Sequence, residues 1–485
     1  MTQAQPLLID TEYQYLSDAL ALQKKAYLEA PMPSVGYRQS MLDKLHNAVL
    51  EYKDRLVAAI NDDFSNRCES ETLLSEILPL FDAIAYNRKR IKKWVKPQRR
   101  HAPLMLQPAA VSVTYQPLGV IGIVVPWNFP VFLGLSPLVY AFAAGNRAMI
   151  KTSEFAPRAS VVIKQMIEAY FSAEEVLIVE GGVDVSTEFT RLPFDHLVFT
   201  GATEIGKHVM RAAADNLVPV TLELGGKSPV IIHDSFPIAE AAKRLAFGKC
   251  MNAGQICVSP DYILCPRDKV NTFVSEFRKR IEAAYPSFKD NKDWTGIINE
   301  RQLSRLQGVL KDAEEKGARI LPINPASETF EGTRKMPVTM VLNATEDMRI
   351  LQEELFGPLL PILPYDDLDE AISYVNARPR PLALYYFDYD KARGQHIVEN
   401  THSGGVCIND TLSHVMSDDV PFGGIGPSGM GHYHGKEGFL NFSKAKAVVA
   451  KGKIYMNDRV GPPWGRLMYR SLMLMLALKL KKRKV

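Results

Sequence analysis

Over the first hundred residues the apolar positions recur every three or four places. Leu42, Leu45, Val49, Tyr52, Leu56 and Ile60 fall on one side of a helix with charges between them, which predicts a helical, solvent-facing leading region. From Val111 the period changes. VSVTY alternates like an exposed strand, and the short apolar runs GVIGIVV, RAMIK, EVLIVE, DHLVFT, PVTLEL and SPVIIH follow, separated by helical patterns. Strands alternating with helices predict an α/β fold with a doubly wound parallel sheet and a ligand at the C-terminal ends of its strands. A second series, DYILC, RILPI, LLPILPY, LALYYF and GGVCIND, predicts a second α/β domain. No internal repeat and no long low-complexity linker interrupts the chain.

Two segments qualify this picture. From Ala102 to Asn146 there is no charged residue, which a hydropathy window reads as a membrane span. Pro126, Pro130 and Pro137 argue for a buried parallel strand (Gly119 to Val125), a loop and a core helix instead. At the other end, RSLMLMLALKLKKRKV sets about ten apolar residues before Lys479, Lys481, Lys482, Arg483 and Lys484, too short to span a bilayer. It suits a helix that covers a groove or lies on an anionic membrane surface, and equally an ordinary packed helix with a basic end.

With 485 residues, 46% of them hydrophobic, the chain can build two or three domains. A net charge of +4 gives no reason to expect nucleic acid, and the basic run RKRIKKWVKPQRR (88 to 100) reads more simply as a solvated helix end. Five cysteines (Cys68, Cys250, Cys257, Cys265 and Cys407) form no CxxC and no zinc spacing, so neither a disulfide framework nor a metal site is expected. The opening MTQAQPLLIDTEY lacks a signal-peptide pattern, and the expected location is cytoplasmic.

Three glycine motifs invite a nucleotide. FTGATEIGKH (199 to 208) approaches a P-loop, but His208 stands where magnesium needs Ser or Thr; it still follows a strand and opens a helix, where backbone N–H groups suit a pyrophosphate. GIGPSG (424 to 429) satisfies GxGxxG without a leading strand and reads as a loop of close backbone approach. ELGGKSP (223 to 229) puts Glu223 at the end of an apolar strand, where burial raises a carboxyl pKa towards that of a neutral-pH base.

Taken in order, PWNFP (126 to 130), FTGATEIG, ELGGKSP, MNAGQICVSPDYILC, EELFGP (353 to 358) and PFGGIGPSGMG (421 to 431) resemble the aldehyde dehydrogenase superfamily over residues 20 to 450. The MNAGQICVSPDYILC wording, GHYHGKEGF (431 to 439) and the GPPWG tail resemble its class 3 branch of fatty, aromatic and coniferyl aldehyde dehydrogenases. The resemblance implies NAD(P)-dependent oxidation of an aldehyde to the acid through a thiohemiacetal and thioester on Cys257. Asn128 would be the oxyanion donor and Glu223 the base for the hydrolytic water. The other four cysteines are structural by default.

By the same resemblance the dinucleotide would be held by Pro126, Trp127, Lys151, Glu154, Gly201, Thr203, Gly206, Leu224, Gly225, Glu354 and Phe356. Glu154 would favour NAD, with NADP left open. Thr152 departs from the family's usual Pro and would loosen that loop. The implied layout is a dinucleotide-binding domain (1–100 and 119–226), a catalytic domain (227–409), an oligomerisation arm (101–118 and 410–450) and a tail (451–485) acting as gatekeeper or membrane-surface helix. VSVTY and FSKAKAVVA would pair across a homodimer. Two rivals remain: a cysteine hydrolase pairing Cys257 with a histidine such as His434, and a nucleotide-binding protein without catalysis.

Overall fold

A computed structural model of the chain describes residues 11–103, 106–453 and 461–479. The N-terminal stretch read for targeting and the basic cluster Lys481 to Lys484 lie outside the described residues.

The predicted helical stripe is the inner face of a 29-residue helix, Val35–Asp63. Ser34 caps it, its hydroxyl accepting from the Tyr37 amide at 3.1 Å. Met41, Leu42, Leu45, Val49, Leu56 and Ile60 are buried against the helix Pro157–Tyr170 and its neighbours. Tyr52, on the flank of the stripe, is half-buried beneath the Arg55 guanidinium. The basic run after Arg88 is the end of the helix Leu78–Trp94 and continues into a short strand, Gln98–Arg100, rather than ending as a helix tip.

The chain forms two compact units, one comprising the segments up to Trp94 and Gln116–Ser443, the other Val95–Tyr115 and the segment from Lys444 on. The larger unit holds two mostly parallel sheets, each with one antiparallel edge, Gly429–Met430 in the first and Arg319–Pro322 in the second. The first runs in the order Gly429–Met430, Val220–Glu223, His196–Thr200, Val120–Val124, Arg147–Lys151, Val176–Val179, all parallel except the Gly429–Met430 edge. The chain starts at Val120–Val124, steps outward twice, then crosses to the other side of that strand. The C-terminal ends beside Val124 and Thr200 therefore open the crevice where such sheets bind ligands. The second sheet runs Arg319–Pro322, Thr339–Leu342, Leu359–Tyr365, Tyr262–Pro266, Pro229–Ile232, Ala383–Phe387, Gly405–Ile408.

The uncharged segment is core from Val120 on. Val120–Val124 lies between two parallel neighbours, and every residue of the helix Phe132–Ala144 is buried. Gly145 ends that helix at φ 93°, and its amide reaches the Ala141 carbonyl at 3.0 Å. Among the described residues no helix is long and apolar enough to cross a membrane.

In the smaller unit Gln98–Arg100, Ala110–Pro117 and Ser443–Ala450 form one sheet in that order. The two arm strands expected to pair across a dimer thus pair within one chain, which satisfies the inner edge of each and leaves Ser443–Ala450 as an outer edge. The helix Leu467–Lys479 carries exposed Leu467, Met473, Leu474 and Leu476.

His196 is buried on its strand, its Nε2 2.8 Å from the Thr221 hydroxyl. Burial pushes its pKa down to about 4, as it does for His414 and His434. An unfolded histidine titrates near ~6.5, so below that pH the unfolded chain binds the extra protons and stability falls until the folded pKa is reached. The melting temperature is therefore expected to drop as pH falls from 6.5 towards 4, and less steeply in His196→Gln. A flat melting profile over that range would contradict this.

Candidate active site

The loop after Val120–Val124 carries Pro126, Trp127 and Asn128, and it is held by a buried ion pair. Arg67 Nη1 lies 3.0 Å from Glu76 Oε1, with both side chains fully enclosed. The same Nη1 donates to the Asn128 carbonyl at 2.9 Å, and Nη2 donates to the Ser75 hydroxyl at 2.8 Å. Glu76 sits in a single π-turn, Leu73–Ile77. Its Oε2 accepts from the Val131 and Phe132 amides at 2.7 and 3.1 Å, capping the start of the core helix.

Cys257 follows an unusual turn. Asn252, Ala253 and Gly254 have φ of 50°, 50° and 74°, a left-handed run that needs external support. Glu71 supplies part of it, accepting from the Asn252 amide and from the Thr295 hydroxyl, the latter at 2.8 Å. Gln255 supplies more: its amide donates to the Asn252 and Gly296 carbonyls and accepts from the Ile298 amide, each at 3.0 Å. The Asn128 side-chain amide donates to the Gln255 carbonyl at 3.2 Å, and Asn252 Nδ2 returns a bond to the Asn128 carbonyl at 3.2 Å. Asn128 and the cysteine turn are thus parts of one network.

Cys257 is half-buried and lies in the wall of a cavity of about 140 Å³ with Phe129, Phe132, Ile256, Val258 and Tyr433. The lining is apolar almost throughout, and Leu74, Phe247 and Met416 are its exposed apolar members. Burial, then Glu354 and Glu223, push the Cys257 thiol up to about 12, while backbone N–H groups of Cys257 and Val258 oppose the rise. Burial alone raises Glu223 well above the usual carboxyl range, and neither of its oxygens has a hydrogen-bond partner. Burial and Asp261 bring Glu354 to about 8.

The remaining candidates gather at the same sheet end. Gly201 follows His196–Thr200, and its amide donates to the Glu223 carbonyl at 3.0 Å. Thr203 and Gly206 open the helix Thr203–Asp215, whose N-terminus has no side-chain cap. A Cβ at Gly206 would stand 2.6 Å from Leu224, and one at Gly225 2.0 Å from Glu354 Oε2, so helix, strand and carboxylate close up only over glycine. Phe356 has φ 48°, and its ring meets Trp127 edge-on at 5.3 Å. Lys151 is buried with Nζ 3.8 Å from Glu154 Oε2 and 2.6 Å from the Thr152 carbonyl, and burial lowers its pKa. The Thr152 amide and hydroxyl both bond to the Val179 carbonyl, at 3.1 and 3.4 Å, so threonine ties this loop rather than loosening it.

Several residues of the site carry no sequence signal of their role. Lys227 donates to the Ile350 and Glu353 carbonyls at 2.9 Å and pairs with Asp261, whose other oxygen accepts from the Leu355 amide at 2.8 Å. Arg305 donates to the Glu354 and Leu355 carbonyls. These two cations hold the EELFGP loop by its backbone; the lysine of GGKS is visible in the sequence, but its target is not. His434 lines the same cavity as Cys257, yet among the described residues no hydrogen bond joins them, and its Nδ1 has no partner.

A doubly wound parallel sheet, followed in the chain by a second sheet whose entry loop carries the half-buried Cys257, defines an α/β enzyme of the two-sheet type. The model of the aldehyde dehydrogenase family matches residues 13–448, and the chain belongs to that family. It is 53% identical to a probable coniferyl aldehyde dehydrogenase of Pseudomonas aeruginosa, covering 94% of this chain and 95% of the relative. It is 36% identical to aldehyde dehydrogenase family 3 member A2 of Pongo abelii, over 88% and 87%. Among solved structures, the substrate-bound state of Staphylococcus aureus AldH superposes with a TM-score of 0.89 at 35% identity, over 95% and 99% of the two chains. A Mycobacterium tuberculosis aldehyde dehydrogenase complexed with NAD+ gives 0.81 at 26% identity, over 91% of each chain.

The buried pair sets a prediction. Glu76→Ala strands the Arg67 charge and is expected to cost about 3–5 kcal/mol in denaturant unfolding, whereas Arg67→Met with Glu76→Leu costs markedly less. Equal losses would show that the ion pair is not the brace.

Proposed function

We propose that the protein oxidises hydrophobic aldehydes, aromatic ones of the coniferyl aldehyde type among them, to the corresponding acids with NAD or NADP. The observation that carries this is the placing of the Cys257 thiol in the wall of an apolar cavity, with the Asn128 amide bonded to the turn that presents it and the Glu223 carboxyl close enough to act on its charge. The relative of 53% identity named for coniferyl aldehyde supports the aromatic choice, and the apolar rim of Leu74, Phe247 and Met416 supports a hydrophobic one.

The residues present fit a dinucleotide. The uncapped start of Thr203–Asp215 offers backbone N–H groups to a pyrophosphate beside Gly201 and Gly206. Lys151 with Glu154 would take the adenosine ribose, Glu354 with Phe356 the nicotinamide ribose, and Pro126, Trp127, Leu224 and Gly225 the walls between. Glu154 accepts ribose hydroxyls and repels a 2′-phosphate, which favours NAD. When bound, the dinucleotide supplies the hydride acceptor.

The chain's own residues do the rest. Cys257 Sγ attacks the aldehyde carbon as its proton passes to the ionised Glu223 carboxylate, which returns it to solvent before hydrolysis, and the carbonyl oxygen becomes an oxyanion. Asn128 has one amide hydrogen on the Gln255 carbonyl and the other free to meet that oxyanion, together with the Cys257 backbone N–H. After oxidation leaves a thioester, Glu223 takes a proton from water as the water oxygen bonds to the acyl carbon. The C–S bond then breaks, and the acid departs.

In the same reading the first sheet and its helices are the cofactor domain, the second the catalytic domain, and the small sheet an oligomerisation arm whose outer strand Ser443–Ala450 extends across a homodimer. The protein works in the cytoplasm. The exposed Leu and Met of Leu467–Lys479, continued by the basic C-terminus, suit contact with an anionic membrane surface or with the substrate mouth.

Purified protein given aliphatic and aromatic aldehydes with NAD or NADP is expected to make NADH or NADPH, and Cys257→Ala none. Asn128→Ala should lower kcat by on the order of 10²–10³. Reduction that survives Cys257→Ala would refute the mechanism. Deleting residues 466 to 485 is expected to change chain-length preference or vesicle association; no change in either would remove the role given to the tail.

A further inference from the structure

Among the described residues, Glu223 and Tyr433 near Cys257 are buried side chains whose polar atoms find no hydrogen-bond partner, and His434 Nδ1 finds none either. Glu223 is 3% exposed, and both its oxygens lack a partner; Tyr433 is 0% exposed, and its hydroxyl lacks one too. A buried polar atom left unpaired costs stability, so such atoms are few in folded proteins and each needs a reason. The segment that leads to Tyr433 runs along the strand that ends in Glu223. Gly429 pairs with Glu223 and Met430 with Leu222, and Gly431 packs against Thr221, where a Cβ would come within 3.2 Å of the hydroxyl. Two residues further on, Tyr433 enters the cavity wall that Cys257 shares.

The ring of Tyr433 is fixed while its hydroxyl is left bare. Its amide donates to the Phe422 carbonyl at 3.2 Å, and Tyr140 and His434 stand edge-on to the ring at 6.2 and 5.0 Å. A Cβ at Gly438 would lie 2.9 Å from the Tyr433 backbone, so that side is closed as well. Burial, then the charges of Glu223 and Cys257, hold the phenol protonated, which makes it a hydrogen-bond donor that keeps its proton.

We propose that Tyr433 is a positioning residue for deacylation, its hydroxyl donating to the Glu223 carboxylate when that carboxylate turns towards the water that hydrolyses the Cys257 thioester. The proposal rests on the reading of Cys257 as nucleophile and Glu223 as base. In this step the water oxygen bonds to the acyl carbon and a water proton passes to Glu223. The C–S electron pair returns to Sγ, and Tyr433 keeps its own proton throughout. Its contribution is to orient and stabilise the ionised carboxylate before the attack. The other titratable groups around the pair are poor substitutes. Cys257 is the acylated atom, Tyr140 is engaged with Asp418 Oδ1 at 3.2 Å, and Glu354 is itself an acid. His434, with His414 beyond it, is held neutral.

The test is Tyr433→Phe, with p-nitrophenyl acetate as acyl donor and no dinucleotide, so that acylation and deacylation are read without hydride transfer. The burst of p-nitrophenolate should stay at one per active site while the steady-state rate falls roughly tenfold, as for loss of one hydrogen bond to a charged group. The acid limb of the steady-state profile should move to higher pH, because removing a donor to the carboxylate raises its pKa. The melting temperature should not fall, since the deleted hydroxyl had no partner. Adding Tyr433→Phe to Glu223→Gln should slow deacylation no further. A normal burst with unchanged deacylation and an unmoved acid limb overturns the proposal alone. A wild-type enzyme without a burst overturns the Cys257 reading and the proposal with it.

Discussion

The floor of the cavity depends on one ion pair that never sees solvent. Arg67 and Glu76 are nine residues apart in sequence, yet between them they fix the Asn128 carbonyl, the Ser75 hydroxyl and the first amides of the core helix. Burying two charges is costly unless every remaining donor and acceptor is also satisfied. Here Arg67 Nε has no hydrogen-bond partner among the described residues, and the aromatic faces of Phe64 and Phe129, 5.3 and 4.6 Å from the guanidinium carbon, offset part of that cost. The Asn128 carbonyl then accepts from Asn252 as well, so the position of the asparagine is passed to the left-handed turn that presents Cys257. The Asn128 amide and the Cys257 turn, proposed as oxyanion donor and nucleophile, are located by a single chain of bonds, which suits a reaction sensitive to ångström-scale misplacement.

Electrostatics beside Cys257 are dominated by acids. Glu223 and Glu354 both raise the thiol, and the cations that hold the EELFGP loop, Lys227 and Arg305, are committed to carbonyls and to Asp261. Each ionisation therefore opposes the next, and the site rests in its neutral, protonated form. A thiol at about 12 is a poor nucleophile and equally a poor target for oxidation. Neutrality at rest and reactivity when the site is filled are consistent, because positive charge or hydrogen-bond donors brought by a bound molecule would act on all three acids together.

Much of this architecture is written in the chain's hydrophobic pattern, since parallel strands buried on both faces read as unbroken apolar runs. That is why HLVFT, VTLE and YILCP stand out, and why Cys257, Asn128 and Glu223 can be located by motif order. What could not be read has a common cause: it lies in pairings between distant positions. The Gly429–Met430 edge is two residues long, too short for any period. The arm strands alternate whether they pair within a chain or between chains, and only their register tells which. Arg67, Glu71, Gln255 and Arg305 act through carbonyls and amides contributed by remote segments, and a carbonyl leaves no mark in a sequence. Thr152 misled for the opposite reason. Its departure from a familiar proline is visible, while the Val179 carbonyl that compensates for it is not.

The unpaired groups and the apolar wall share a physical origin. A wall built from Phe129, Phe132, Ile256 and Val258 lowers the dielectric around Cys257 and contributes to the burial that raises it, while burial likewise raises Glu223. The same medium strengthens whatever the Asn128 amide does for an oxyanion, because a preorganised donor counts for more where water cannot compete. Polar lining would ease ionisation of the thiol but would also solvate the carbonyl and weaken that donor. The protein instead accepts hard ionisation at rest and leaves Glu223, Tyr433 and His434 with bare polar atoms. Filling those valences with fixed partners would stabilise the fold, and under the proposed mechanism would also remove the freedom of Glu223 to change partners between one step and the next.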